Sequence, residues 1–442
     1  MTRGGGDAAH VSASPTPGSP VTSERDDHDG RRAEDGSAGG RNPWPFLVQL
    51  GVPAFGTTFA ITVVTTYVPT LLGTETGPLV TGLVIGGEGA AGLLLPMLVG
   101  LWNDRSARTV AGRLRFVLLA VPFCVAGLLS VATDLGPAAI IAGAAAYFVG
   151  HFAYLTPYEA LYPDLVPDRL SGRSRTAASS WRFAGLGAAL IGGGFLLDLW
   201  VPAVFLVAAG AVALGTAVLL RVLRSRRHLP LPGGGGGSSP GALRAVAGLV
   251  RDRDVAVVLA ATLLWNVGLQ GLKAFVVLFF TVGLGRSASF VSAVVFPLVA
   301  VGLVAAVPLA GRVADRVGDR PVLAVASAVY GVGLLGAGLS HAPWMIALIP
   351  LPAAAAGTVM TLNYSALMRV LPAEHHGAAS GLFLLSRGVG CLLGPLAVGI
   401  AVTVAAPLFP ASRGYDAMWF VIGPAVLAAV PLLLRPRRTK PS

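Results

Sequence analysis

Twelve long apolar stretches, separated by short polar turns, dominate the 442 residues of the chain. About 20 residues of helix, rising 1.5 Å each, cross a hydrocarbon core of about 30 Å, so each stretch reads as a membrane-spanning helix. They lie near residues 45–71, 78–101, 115–132, 136–160, 176–198 and 200–221, then 254–282, 287–311, 320–340, 343–368, 377–405 and 415–434. Composition agrees, because 54% hydrophobic and 12% charged residues leave too little polar surface to cover a water-soluble body of this length. Gly and Pro recur inside the stretches, which is ordinary where neighbouring helices re-satisfy the backbone. Glycines four apart, Gly82 with Gly86 and Gly390 with Gly394, permit close helix contact.

The expected fold is an all-α integral membrane protein of twelve transmembrane helices in two six-helix halves. Residues 1–43, rich in Gly, Ser, Pro and acids, form a cytoplasmic tail expected to lack stable structure. Residues 44–221 form the N-terminal half and 254–435 the C-terminal half, joined by a Gly/Arg-rich cytoplasmic linker over 222–253, with a basic tail at 436–442. Pro230 to Pro240, built around five consecutive glycines, reads as a flexible hinge within that linker.

Basic residues near the ends of spans remain in the cytoplasm far more than they cross. Turns on the side shared by the two termini, with the C-terminal tail, hold 22 Lys and Arg, from Arg105 to Lys440; the opposite turns hold Arg286 and Arg413, that is 2. Both termini are therefore expected in the cytoplasm, and the protein in the cytoplasmic (inner) membrane. The same distribution accounts for the net charge of +11 without any nucleic-acid partner.

Enzyme-like patterns are weak. Gly237-Ser238-Ser239-Pro240-Gly241 has nucleophile-elbow spacing but sits in the glycine linker with no strand before it. Two dinucleotide-like glycine patterns, at Gly87 and Gly331, lie inside apolar spans, where helix packing explains them better. Cys124 and Cys391 fall within spans and His375-His376 in a turn, with no zinc spacing among them. No enzyme activity, metal or cofactor is expected.

Charge at membrane depth is more informative, since it costs about 2.5–3.5 kcal/mol on insertion scales and persists when paired or facing a wet cavity. Glu88, His151, Arg182, Lys273 and Arg387 lie within spans two, four, five, seven and eleven, so both halves supply charge to the centre. Asn266 and Gln270 share a helix face with Lys273, and Tyr154 continues the His151 face. These eight residues are the candidate cavity for substrate and proton. Arg182 reads equally well as a tether at the end of its span, and Glu159 and Asp164 as interface anchors.

Each half repeats a loop motif after its second span. The C-terminal copy is Gly311-Arg312-Val313-Ala314-Asp315-Arg316-Val317-Gly318-Asp319-Arg320; the N-terminal copy is Gly100, Asp104 and Arg105, then Gly112-Arg113. The paired motifs resemble those of the major facilitator superfamily over residues 44 to 435. The stretched N-terminal copy, with Pro157-Tyr158-Glu159-Ala160-Leu161-Tyr162-Pro163-Asp164, is similar to the glycoside-pentoside-hexuronide cation symporters and the related sucrose transporters.

That resemblance implies a sugar or glycoside carried with a cation by alternating access of two helix bundles around a midplane site. Acids that hold sodium in the second and fourth spans of that branch correspond to Gly92, Pro96 and Leu155 here. Glu88 is thus the candidate proton carrier by its own chemistry, and a proton is expected over sodium. Asp104 and Asp315 are expected to pair with arginines of a neighbouring helix or to cap a helix end, making the loop residues gates and not substrate ligands. The expected function is secondary active transport of a small solute across the membrane as a proton-coupled sugar or glycoside symporter. A proton-driven exporter of drugs or metabolites is the second reading, and a non-transporting receptor or scaffold the third.

Overall fold

The computed structural model describes residues 44–133, 135–231, 251–369 and 376–435, with the side chains at 104, 168, 307 and 376–380 outside the description. The expected tails at 1–43 and 436–442, most of the glycine linker, His375 and the side chain of His376 fall outside it. Residues from Phe46 onward belong to one compact unit, and Trp44 and Pro45 are the described residues of the other.

Lipid offers the backbone no hydrogen-bond partner, so helices that satisfy themselves are the expected solution. The first six are α1 Trp44–Glu75, α2 Pro78–Ser106, α3 Val110–Ala132, α4 Pro137–Leu165, α5 Asp168–Leu199 and α6 Val201–Val222. The second six are α7 Arg253–Leu278, α8 Phe296–Val317, α9 Asp319–Leu339, α10 Pro350–Met368, α11 His376–Ala405 and α12 Ala417–Leu427. Among the described residues eleven helices are long and apolar enough to cross a membrane, and the shorter apolar Ala417–Leu433 supplies a twelfth. Ala428 interrupts that last span, where Pro424 and Pro431 remove backbone donors. Wider π-type turns, Phe279–Gly283 after α7 and Val291–Val295 before α8, bracket the turn between those helices.

The glycines four apart do bring backbones together. A Cβ on Gly82 would lie 2.4 Å from the Pro395 carbonyl oxygen, and one on Gly394 would lie 2.5 Å from that of Val267. Helix α11 is thereby clamped between α2 of the N-terminal half and α7 of its own.

The halves also meet through a polar clasp at the end of the bundle away from the arginine-rich turns. Tyr67 on α1 shares a hydrogen bond of 3.3 Å with the Ser292 hydroxyl, and lies 3.2 Å from the carbonyls of Ala189 and Leu190 on α5. Ser292 donates to the Leu190 carbonyl at 2.8 Å and accepts from the Gly194 amide at 3.0 Å. The Ser289 amide donates to Asp198 Oδ2 at 2.7 Å. Ser292 is fully buried, so its hydroxyl needs this set of partners.

The arginine-rich end is organised differently. The motif residues Gly100 to Arg105 and Gly311 to Arg316 are the closing turns of α2 and α8, so the true loops are shorter than the sequence suggests. Gly318 turns the chain from α8 into α9 at φ 91°, a conformation that a side chain would strain. The start of the expected linker is ordered: Arg227 and Leu229 carbonyls accept from the Ala111 and Val110 amides at 3.0 and 3.2 Å. Those amides are orphan donors of the first turn of α3, so the linker caps a helix. Thr109, pairing in a bridge with Pro230, caps it further through its hydroxyl to the Gly112 amide at 3.2 Å. This docking explains the stretch between Arg105 and Gly112.

Any side chain at position 194 must part the clasp, since its Cβ would lie 2.3 Å from Ser292 Oγ and 2.4 Å from the Ala288 carbonyl oxygen. Gly194→Leu is therefore expected to open this end: Ser289→Cys should become reactive to a water-soluble maleimide in that background and remain slow in the parent. Equal labelling rates would show that the clasp does not hold the closure.

Candidate functional site

A cavity of about 1860 Å³ lies between the halves, larger than the few hundred to one thousand cubic ångströms of common ligand pockets. Glu159, Arg175 and Ser179 line it toward the arginine-rich end, and a lobe along α9 and α10 reaches Ser340 and His341. Its walls are mostly Leu, Val, Phe and Ala, with charge confined to a few places.

Six of the expected side chains meet there: Glu88, His151, Arg182, Gln270, Lys273 and Arg387. At the deepest point Thr65 of α1, Glu88 of α2 and Gln270 with Lys273 of α7 share one narrow crevice, so both halves supply charge to it. Gln270 Nε2 donates to the Cys391 thiol at 3.1 Å, which fixes the amide against α11. Glu88, Lys273 and Arg387 line the same cavity as that thiol, Lys273 one turn from Gln270 on α7 and Arg387 one turn from Cys391 on α11. Among the described residues none of these three makes an ion pair within 4.0 Å or a hydrogen bond. His151 is instead packed, with Nδ1 3.3 Å from the Tyr147 hydroxyl.

Two expected cavity residues face elsewhere. Tyr154 is fully buried and accepts from Thr216 of α6 at 3.2 Å. The cavity face of α4 runs through Phe152, Leu155, Thr156 and Glu159, one residue and so about 100° away from the Tyr154 stripe. Asn266 is turned onto α11: its amide donates to the Thr262 carbonyl at 2.8 Å, and its Cβ would lie 2.6 Å from one added to Gly390. Trp181 and Trp265 are likewise structural, donating to the Val48 carbonyl and the Ser327 hydroxyl at 3.0 and 2.9 Å.

Arg182 pairs with Glu159 across α5 and α4, and both line the cavity. The motif residues lie beyond it. Arg113 sits 2.9 Å from Asp164, joining α3 to α4, and Arg320 pairs with Asp254 at 2.6 Å, joining α9 to α7. Arg369, which the motif does not contain, reaches Asp319 at 3.0 Å but Asp315 only at 3.6 Å. Arg105 and Arg316 are exposed, Gly311 has open space around it, and Gly100 is in ordinary contact with Thr156. Asp104 lies outside the described side chains. Every ion pair just named stays within one half, whereas the clasp at the other end crosses between them.

The family model described as Major Facilitator Superfamily matches residues 50–395 and 284–442. The chain belongs to the major facilitator superfamily. The superfamily comprises transporters, not enzymes. Among curated relatives, an uncharacterised MFS-type transporter, Rv1250, of Mycobacterium tuberculosis is 34% identical over 119 residues, 26% of this chain and 19% of its own. Another, YfiU of Bacillus subtilis, is 29% identical over 99 residues, 22% of this chain and 19% of its own. The matched stretches thus span about a fifth of each relative. Among solved structures, a mutant of the nucleoside transporter NupG superposes with TM-score 0.72 at 15% identity, covering 88% of this chain and 99% of that one. A bacterial homologue of the human lysosomal transporter Spinster, inward-facing and unoccupied, gives 0.71 at 17% identity, with 89% and 97% covered. At such identities the likeness establishes the major facilitator fold.

Asp319 is nearly buried while Asp315 is 72% exposed, so the two carboxylates differ in what they hold. Asp319→Asn is expected to lower stability by about 1–2 kcal/mol, less than a fully buried pair because Arg369 is half-exposed, whereas Asp315→Asn should stay within about 0.5 kcal/mol. Thermal unfolding in detergent checks this; equal losses would mean that Arg369 does not discriminate between them.

Proposed function

We propose that the chain is a secondary active transporter that moves a small organic solute by alternating access and couples it to a cation, a proton in preference to sodium. The observation that carries this reading is the crevice shared by Glu88 and Lys273, contributed by different halves and neither one paired. Glu88 and Lys273 stand on opposite halves, so rocking of the halves changes the distance between carboxylate and ammonium, and exchange of a proton at Glu88 is the proposed coupling step.

The two rocking bodies are residues 44–221 and 254–435, with the clasp closing one end. The arginine-rich turns support cytoplasmic termini and a place in the cytoplasmic membrane, which makes the clasp external and the cavity inward-facing. Arg113, Arg320 and Arg369, each tied within its own half, would keep the bodies rigid as they move. Glu159 and Arg182 would form a rim at the inner mouth, and the remaining motif residues the inner gate.

Resemblance to the glycoside-pentoside-hexuronide and sucrose branch supports a sugar or glycoside symporter. The apolar walls favour the second reading, an exporter of amphipathic drugs or metabolites, because aliphatic and aromatic side chains outnumber the neutral hydrogen-bonding groups, such as Thr57, Thr58, Thr62 and Thr66, in the lining.

In proteoliposomes with a pH-sensitive dye, a transported solute is expected to move protons with it, inward with an external sugar or in the opposite sense for an exporter. Glu88→Gln should abolish the proton signal and retain solute counterflow. A full proton signal in that variant would remove Glu88 from coupling.

A further inference from the structure

We infer that the solute carried through this cavity is an organic anion, with its acidic group between Lys273 and Arg387 and an apolar body against the phenylalanines of the α7–α8 region. The inference rests on the cavity being the transport site and adds the class of cargo.

The charge balance of the walls points this way. Five Lys or Arg side chains line the cavity, against the carboxylates Glu88 and Glu159. Glu159 is already engaged by Arg182. Arg175 is exposed at the mouth, and Arg286 lies over the Phe290 ring, 5.5 Å from its centroid. Lys273 and Arg387 remain, each about one helical turn from the Gln270–Cys391 hydrogen bond that joins α7 to α11, both lining the cavity, and both without an ionic or hydrogen-bonding partner among the described residues. Two such cations, Arg387 exposed and Lys273 half-buried, beside a single carboxylate leave an excess positive charge in the cavity that a bound anion offsets.

The other solute classes fit less well. A cationic solute would have Glu88 as its counter-charge, but Lys273 flanks the same crevice and repels it. A neutral sugar would draw on uncharged groups such as Thr58, Thr62 and Thr66 of α1, and would leave the charges of Lys273 and Arg387 without a counter-charge. Apolar surface is plentiful: Phe279, Phe280, Phe290 and Phe296 line the cavity, the first two edge to face with centroids 5.3 Å apart. Such rings hold a hydrocarbon or aromatic body by area and by ring geometry. The planar guanidinium of Arg387 also suits two-pronged recognition of a carboxylate.

The test is equilibrium binding to the purified full chain in nanodiscs, using sets of three probes that share one body: 3-phenylpropionate, 3-phenylpropanol and 3-phenylpropylamine, with matching naphthyl and octyl sets, and methyl glucoside as a neutral polar probe. In at least one set the acid is expected to bind about tenfold or more tightly than the alcohol and the amine, the size of one charged hydrogen bond. Lys273→Gln and Arg387→Gln should each erase that preference, Lys273→Arg should keep it, and Glu88→Gln should strengthen acid binding. Retention of affinity by Lys273→Arg separates loss of charge from loss of fold. Absence of acid preference in every set, tighter binding of an amine or of methyl glucoside, or an acid preference that survives both neutral substitutions would overturn the inference. Binding requires no translocation, so failure of proton coupling in vesicles would remove the transport reading alone. Proton movement driven by a neutral sugar would keep that reading and remove this one.

Discussion

The cost of placing charge in hydrocarbon governs this molecule. An unpaired carboxylate and an unpaired ammonium at the middle of a helical bundle are tolerable only if that middle is not dry, so the helices must part there. Everything else in the structure arranges where the parting occurs. Close glycine contacts clamp α11 between α2 and α7, and the Ser292 clasp seals one end. The opposite end carries ion pairs that brace each half internally, which leaves the wet space to widen toward it.

These contacts fall into two energetic classes, and the division has a mechanical meaning. A transporter must break contacts between its halves in every cycle and keep those within them. The clasp consists of a few hydrogen bonds centred on one serine, each with a net worth of about 0.5–1.5 kcal/mol, a quantity that ligand binding can overcome. The bracing pairs include Arg113 with Asp164, both nearly buried, whose separation would strand a charge at several kcal/mol. At the two ends of the bundle the division is clear: hydrogen bonds cross between the halves at one end, and ion pairs brace each half internally at the other.

Helix number and placement were legible in the sequence because length and hydropathy alone define a membrane span. Gly82 and Gly394 were legible as packing residues for the same reason: spacing reports a face, and only a small residue admits a neighbouring backbone there. The deep charges were also legible, since Glu88, Lys273 and Arg387 have no other reason to occur at that depth. What the sequence withheld is azimuth. His151 and Tyr154 are three residues apart on α4, yet the cavity face runs through His151, Leu155 and Glu159, so His151 reaches it while Tyr154 is turned onto Thr216. Asn266 shows the same limit on α7, where a face shared with Lys273 is broad enough to meet α11 at one level and the cavity at the next. Long-range pairs such as Arg369 with Asp319 and His341 with Asp416 carry no local signal at all, because their partners lie 50 and 75 residues apart.

Depth and pairing together separate two kinds of charged residue that composition treats alike. Arginines at the ends of α3, α9 and α10 find carboxylates on adjacent helices and become structure. Lys273 and Arg387 find none, although Glu88 shares a crevice with the first of them. Had the chain needed only to neutralise Glu88, one cation brought within 4 Å would have done so and closed the crevice. On the reading proposed above, a carboxylate and two cations held apart in one cavity leave room for a proton at Glu88 and an anion at the cations, each altering the field felt by the other. Coupling between cargo and proton would then need no relay through the protein, since the two proposed sites share a single space between the halves.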